Sequence, residues 1–136
     1  MRCRLSVVIG VFLLLPLLQL TSHGEEPNES NKRREFMEAK LVDSQAILES
    51  LTREDFRAMA KHAQSLSLLT LEEGWQVLQT EEYLQQSRGF RRSADTLRKA
   101  AEDENLQAAT LAFVELTIKC IDCHRYIRGN QREAAR

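Results

Sequence analysis

Proline, the strongest helix breaker, occurs in this 136-residue chain only at positions 16 and 27. After residue 27 the chain contains just three glycines, at positions 74, 89 and 129. Apolar residues in this stretch recur every three to four positions, and the alternation typical of β-strands is absent. We therefore predict an all-α fold for the part of the chain that follows residue 30.

The apolar spacing and the candidate capping residues predict four amphipathic helices. The first is expected at about Asn31 to Ser50, and the second begins after a capping box formed by Thr52 and Asp55. The third is expected from Thr80 to about Asp103, and the fourth from Asn105 to a stop at Gly129. The core-facing residues are expected to be Met37, Leu41, Ser44, Leu48, Leu51, Phe56, Met59, Ala63, Leu66, Tyr83, Leu84, Phe90, Ala94, Leu97, Leu106, Thr110, Phe113, Thr117, Cys120 and His124. Four such helices with short connections predict an antiparallel four-helix bundle.

The N-terminal segment differs in character from the predicted helices. Residues 1–24 combine a positively charged start, an apolar stretch at 5–20 and small residues before a cleavage point, which is the organisation of a secretory signal peptide. A membrane anchor is the alternative, although the apolar stretch is shorter than the roughly 20 residues of a spanning helix. We expect residues 25–30 to be a flexible polar leader and residues 31–136 to form the helical domain.

The charges of the chain are nearly balanced, with 20 acidic and 19 basic residues. A nucleic-acid-binding protein would show a basic excess, so we expect no nucleic-acid partner. The sequence also lacks a recognisable catalytic triad, carboxylate pair or phosphate-binding loop, so we do not expect an enzyme. The third predicted helix carries four basic residues, Arg88, Arg91, Arg92 and Lys99. They are expected either to form a docking face for an acidic partner or to be a solvated face.

The strongest chemical signal is a C-x-x-C-H run at residues 120–124. This is the local signature of c-type haem attachment, in which each cysteine adds to a vinyl group and the histidine becomes an axial iron ligand. The alternatives are a thioredoxin-like pair, which needs a βαβ setting, and a zinc site, which needs four ligands. We therefore predict one covalent haem c, bound through Cys120, Cys123 and His124.

Export and haem attachment are consistent with each other. Cys3 lies in the predicted signal peptide, so the later cysteines are not needed for a structural disulfide. Haem of the c type is attached outside the cytoplasm, and we therefore predict a periplasmic protein. Trp75, in the expected connection at residues 70–80, is a candidate to cover a haem edge, with core packing as the alternative.

The second axial ligand is predicted by comparing how far each candidate residue lies from the end of its helix, at a rise of about 1.5 Å per residue. His124 lies about 7 Å in from the expected helix end at Gly129, and Met37 lies about 10 Å in from the expected helix start. Both positions belong to the same end of an antiparallel bundle. Met37 is therefore the predicted sixth ligand, with gap-filling in the core as its alternative role. His62 is a weaker candidate, because it lies at the margin of its helix's apolar stripe.

A four-helix bundle with C-x-x-C-H near the end of its last helix resembles the cytochrome c prime family. The segment Phe36-Met37, followed by Leu41, is similar to the six-coordinate, low-spin branch, where an early methionine is the second axial ligand. The resemblance implies that Cys120 and Cys123 hold the haem at one end of the bundle. It also implies that His124 is the proximal ligand and Met37 the distal one, and it is compatible with a homodimer.

The residues after the histidine also bear on this resemblance. The family often has an aromatic residue three positions after the histidine and a basic residue at the fourth. In this chain the basic residue is present as Arg128, whereas the aromatic is displaced by one position to Tyr126. Arg128 is expected to pair with a haem propionate or to remain a solvated cation near the helix C-terminus.

Ligation by Met and His leaves no vacant iron site and raises the reduction potential. We therefore expect a carrier of single electrons between periplasmic or membrane-bound redox proteins. If Met37 only fills space, the expected function is instead the binding or sensing of small diatomic gases by a five-coordinate haem. A third possibility is a structural haem in a larger assembly.

Overall fold

The computed structural model describes residues 27–72 and 77–136, and within these ranges the chain is all-α. The four helices are α1 (Pro27–Arg53), α2 (Phe56–Leu69), α3 (Glu81–Glu102) and α4 (Leu106–Ala134). The described ranges contain no strand, which confirms the predicted fold class. The predicted signal peptide and Trp75 lie outside the described residues.

Two helix boundaries differ from the sequence-based expectation. α1 is helical from Pro27, the first residue that the structure describes, so residues 27–30, expected in a polar leader, belong to the helix. The predicted stop at Gly129 is wrong, since α4 continues to Ala134 and Gly129 does not have a positive φ. An interior glycine costs only about 1 kcal/mol relative to alanine, which helix-favouring neighbours can offset.

The α1–α2 and α3–α4 connections use the same backbone device. Glu54 and Glu104 have φ of 55° and 51°, the left-handed conformation that usually follows a helix C-terminus. At the second connection, the N–H of Asn105 donates to the carbonyl of Ala100 at 2.9 Å, which is the long bond of a Schellman motif. The first connection therefore consists of Glu54 and the capping residue Asp55, and the second consists of Asp103, Glu104 and the capping residue Asn105.

The capping residues were partly predictable. Thr80 and Asn105 accept backbone hydrogen bonds from the third residue of α3 and of α4, as expected. For α2 the cap is Asp55, whose carboxylate accepts from the N–H of Ala58 at 3.0 Å. Thr52 is still within α1 and donates its hydroxyl to a carbonyl there, so it is not the cap of α2.

Side-chain hydrogen bonds establish that α3 and α4 are antiparallel. Ser93 donates to the Glu115 carboxylate at 2.9 Å, near the middle of both helices. The hydroxyls of Thr80, before α3, and Tyr126, late in α4, lie 2.7 Å apart. The residue number falls on one helix as it rises on the other, as an antiparallel pair requires.

The short α2 packs beside the middle of α3. Ser67, near the end of α2, donates to the Asp95 carboxylate of α3 at 2.7 Å. With 14 residues, α2 is much shorter than its neighbours. Its C-terminus therefore does not reach the end of the bundle at which α3 begins and α4 ends.

The buried core is built mainly from α2, α3 and α4. The predicted core residues of α2 and α3 are buried or partly buried, as expected. The stripe predicted on α4 is right only in part: Leu106, Phe113 and Cys120 pack against the core, but Thr110 and Thr117 are exposed. The fully buried residues of α4 are instead Ala109, Ala112 and Leu116. The buried apolar set is Ile47, Met59, Ala63, Leu66, Tyr83, Phe90, Ala94, Leu97, Ala100, Ala101, Ala109, Ala112 and Leu116.

α1 is the least enclosed helix. It packs mainly against α2 and touches α4 at few points. Only Ile47 and Ser50 of its described side chains are buried, whereas Leu41 and Leu48 of the predicted stripe are 57% and 53% exposed. The stripe therefore does not close against a neighbouring helix along its whole length.

Candidate functional site

A mainly apolar cleft of about 310 Å³ opens between the middle of α1 and the second half of α4. Two residues of α3, Tyr83 and Phe90, line it as well, and both are almost fully buried. α2 supplies no residue to the lining. The lining consists of Met37, Lys40, Leu41, Ser44, Tyr83, Phe90, Cys120, Cys123, His124 and Ile127.

Two helix faces with the same spacing form this cleft. The α1 residues lie at positions 37, 40, 41 and 44, and the α4 residues lie at positions 120, 123, 124 and 127. Positions that differ by three, four and seven lie on one face of an α-helix. The C-x-x-C-H spacing therefore places both thiols and the imidazole in the same cleft, and the structure brings Met37 into that cleft from a distant part of the sequence.

Cys120 and Cys123 are free and partly buried. Burial raises the pKa of both thiols, and the positive charge of Lys40 only partly opposes this effect. The two sulfurs are therefore protonated thiols at neutral pH. Addition of a thiol across a vinyl group needs the sulfur and its hydrogen, so this protonation state is compatible with the predicted haem attachment.

His124 is exposed to solvent, but it also lines the cleft, where its imidazole is partly desolvated. Desolvation lowers the pKa of the imidazole below its usual value, and the nearby charges of Lys40 and Arg128 lower it further. The ring is therefore neutral at neutral pH. Neutral imidazole is the form that binds a metal ion.

Lys40 and Ile127 line the cleft although neither was anticipated from the sequence, and Lys40 is the charged one of the two. Its ammonium lies 3.4 Å from the Met37 sulfur and 5.7 Å and 5.5 Å from the ring centres of Phe36 and Phe90. Burial is the main cause that lowers the pKa of Lys40 to about 8. The sequence signal that could have identified Lys40 is its position three residues after Met37, on the same helix face.

The remaining sequence candidates lie at different distances from the cleft. Arg128 is exposed and is not part of the lining, although its charge acts on His124. His62 lies outside the lining, with Nδ1 2.8 Å from the Asp43 carboxylate of α1. Met59 is fully buried in the core, the role expected for it.

Tyr126 has a structural role despite its displaced position. The ring packs against the core, and the hydroxyl pairs with Thr80, the residue that caps α3. It therefore ties the end of α4 to the start of α3, next to the cleft.

The basic residues of α3 do not form a uniform positive face. Arg88 pairs with Glu81 at 2.8 Å, and Lys99 pairs with Asp103 at 3.1 Å. These interleaved acidic partners reduce the positive field that an acidic partner would meet.

Three further findings concern the chain as a whole. None of the helices in the described ranges is long and apolar enough to cross a membrane. Across the same residues, no group of three or more His, Cys, Asp or Glu side chains is placed to hold a metal ion. The chain matches no protein-family model, no curated protein and no solved structure with which it was compared.

Proposed function

We propose that this chain is an exported c-type cytochrome that holds one covalent haem in the α1–α4 cleft and carries single electrons between redox proteins. The observation that carries the proposal is the meeting of Met37, Cys120, Cys123 and His124 in one apolar cleft. These residues supply the two thiols, the imidazole and the thioether of a Met/His-ligated haem c.

The chemistry of the cleft fits a haem. Its volume of about 310 Å³ falls within the size range of small-molecule pockets. Its aliphatic and aromatic lining suits the apolar faces of a macrocycle, and Phe90 and Tyr83 offer rigid, buried contacts. When bound, the haem supplies one-electron exchange between Fe(II) and Fe(III).

The residues of the chain have separate tasks in this proposal. Cys120 and Cys123 would hold the haem: each thiol would add across a vinyl group, with the sulfur on one carbon and the thiol hydrogen on the other. His124 would supply a neutral imidazole from α4, and Met37 would supply a thioether from α1. Both ligands are carried by helices of more than 25 residues, which limits their movement between oxidation states.

The proposed location is the periplasm. It is supported by the signal-peptide pattern of residues 1–24 and by the extracytoplasmic attachment of c-type haem. The proposed partners are periplasmic or membrane-bound redox proteins.

The primary test is expression with its leader in cells that contain the haem-attachment machinery, followed by intact-mass measurement. The proposal predicts the mass of the processed chain plus one haem, in a form that resists extraction by acidic organic solvent. The Cys120→Ala, Cys123→Ala double variant is expected to return the bare chain mass. A bare mass for the parent protein would refute the proposal.

The second test concerns the sixth ligand. The oxidised parent is expected to show a low-spin spectrum with a sulfur-to-iron charge-transfer band, and Met37→Ala is expected to lose that band. Met59→Leu is the matched control, because Met59 is a buried core methionine outside the cleft. Loss of the band in the control as well would indicate disrupted packing in place of lost ligation.

One observation favours the gas-binding alternative. The Met37 sulfur accepts a hydrogen bond from the Lys40 ammonium at 3.4 Å, and this contact competes with an iron atom for the thioether. If the contact keeps the sulfur away from the iron of the loaded protein, the iron is five-coordinate and open to diatomic ligands. A high-spin spectrum in the parent, with ready binding of carbon monoxide, would support that function and contradict Met37 ligation.

A further inference from the structure

Lys40 brings a positive charge into an otherwise mainly apolar cleft. It lines the cleft one helical turn after Met37, and Phe36 and Phe90 contact its ammonium through their ring faces. Among the described lining residues, Lys40 is the only lysine or arginine, and none is an aspartate or glutamate. The cleft therefore combines a large apolar surface with a single fixed cation.

We infer that Lys40 is the residue that binds a propionate carboxylate of the haem and so orients the macrocycle in the cleft. The inference rests on the proposed function and adds a residue that none of the sequence motifs contains. A haem presents apolar faces and vinyl groups on one side and carboxylates on the other. An apolar cleft with one cation matches that distribution of polarity.

Met37 ligation strengthens this inference. In the structure the Met37 sulfur is an acceptor for the Lys40 ammonium, at 3.4 Å. A thioether is a weak acceptor, and a sulfur bonded to iron has one lone pair fewer to share. Binding of Met37 to iron therefore weakens this contact, and a carboxylate brought by the ligand replaces it with a stronger, charge-assisted hydrogen bond.

Burial makes the contact more effective than a surface ion pair. Lys40 is partly enclosed, whereas Arg128 is exposed and lies outside the lining. Interactions between charges are weaker in a high-dielectric, ion-screened environment than in a partly desolvated one. Lys40 is therefore the better placed of the two cations to hold a carboxylate inside the cleft.

The test uses haem-loaded protein carrying Lys40→Gln, Lys40→Met or Lys40→Arg, with Lys61→Gln as the control. Lys61 is an exposed lysine of α2, and α2 does not line the cleft. Intact mass first verifies haem attachment. The propionate-bending band in the resonance Raman spectrum then reports the hydrogen bond directly, and the midpoint potential reports the charge beside the carboxylate.

We expect Lys40→Gln and Lys40→Met to shift the propionate band and to lower the midpoint potential. An unneutralised carboxylate favours Fe(III), which explains the direction of the second change. Lys40→Arg is expected to retain a hydrogen-bonded band and most of the parent's potential, and Lys61→Gln to change neither. This pattern would support the inference.

Three outcomes overturn the inference, and they are distinguishable. If haem is attached but the Gln and Met variants keep the parent's band and potential, Lys40 does not bind the carboxylate and the proposed function stands. If these variants instead lose a low-spin spectrum that Met37→Ala retains, the amine is an iron ligand and the inference is wrong. If the parent carries no haem, the proposed function and the inference fail together.

Discussion

Replacing Lys40 with methionine should stabilise the haem-free chain at neutral pH. Methionine matches the lysine side chain up to the ammonium group and removes the charge, so it fills most of the same space without the desolvation cost. The pKa of Lys40 is lowered from 10.5 to about 8, mainly by burial. The folded chain therefore holds the charged form less favourably than the unfolded chain does.

The magnitude follows from the difference in pKa. A drop from 10.5 to about 8 corresponds to about 3 kcal/mol against folding when Lys40 is charged in both states. Contacts of the ammonium with the rings of Phe36 and Phe90 stabilise the folded chain by about 0.5–1 kcal/mol each, which offsets part of this cost. We therefore expect Lys40→Met to raise the free energy of unfolding by about 1–2 kcal/mol at neutral pH.

The pH dependence of the free energy of unfolding tests the predicted stabilisation a second time. Between about pH 8 and pH 10.5 the unfolded parent binds more protons than the folded parent at this group, so parent stability from Lys40 rises with pH. The advantage of Lys40→Met should shrink across that window. The Cys120 and Cys123 thiols have raised pKa values and act in the opposite direction. Loss of the Lys40 charge raises these pKa values further in the variant, which also shrinks its advantage as the pH rises.

Urea denaturation followed by far-ultraviolet circular dichroism, under reducing conditions, measures both quantities. Lys61→Met, at an exposed position of α2, is the control and should leave the free energy of unfolding nearly unchanged. A destabilised Lys40→Met variant at neutral pH would refute the reasoning. An advantage that stays constant from about pH 8 to pH 10.5 would show that the charge is not its cause.

Three other expectations concern the fold and the limits of the site. Glu104→Gly should stabilise the chain by about 0.5–1 kcal/mol in urea denaturation, because glycine adopts the φ of 51° without the cost that a side chain imposes; equal or lower stability would contradict this. Leu97→Ala should cost about 3 kcal/mol by the same assay, since Leu97 is fully buried, whereas Leu111→Ala at 72% exposure should change stability by less than about 0.5 kcal/mol. His62→Gln should leave the visible spectrum of haem-loaded protein unchanged, because His62 pairs with Asp43 outside the cleft; an altered spin state would show that it reaches the iron.

Local signals in the sequence were sufficient for much of the scaffold. Thr80 and Asn105 were predictable as caps, because a side-chain oxygen before an apolar periodic segment satisfies a free N–H of the first turn. The core faces of α2 and α3 followed from apolar spacing, since both helices are enclosed by neighbours on that face. The apolar spacing predicted the buried face of α4 only in part. Alanines at 109 and 112 contribute to that face, and they give a weaker apolar signal than the exposed Leu111 and Val114 nearby.

The site was predictable where its residues share a helix face and unpredictable where it depends on how the helices pack. The motif at 120–124 places its three side chains together on any helix. Which helices enclose the cleft is a tertiary fact: His62 of α2 pairs with Asp43 of α1, next to the lining residue Ser44, yet α2 supplies no residue to the lining. Position along the sequence alone therefore did not reveal that α2 is absent from the cleft.

Exposed aliphatic residues occur on the two helices that touch at few points. Leu41 and Leu48 on α1 and Val114, Ile118 and Ile121 on α4 are each about half exposed or more, and of these five only Leu41 lines the cleft. Burial of apolar surface is worth about 25 cal/mol per Å², so the proposed haem, by covering the apolar lining of the cleft, would supply part of the stabilisation that direct helix packing supplies elsewhere. The α1–α4 side of the bundle is therefore where haem attachment should add the most to folding stability, and the desolvated Lys40 is where the haem-free chain should gain most from a single substitution.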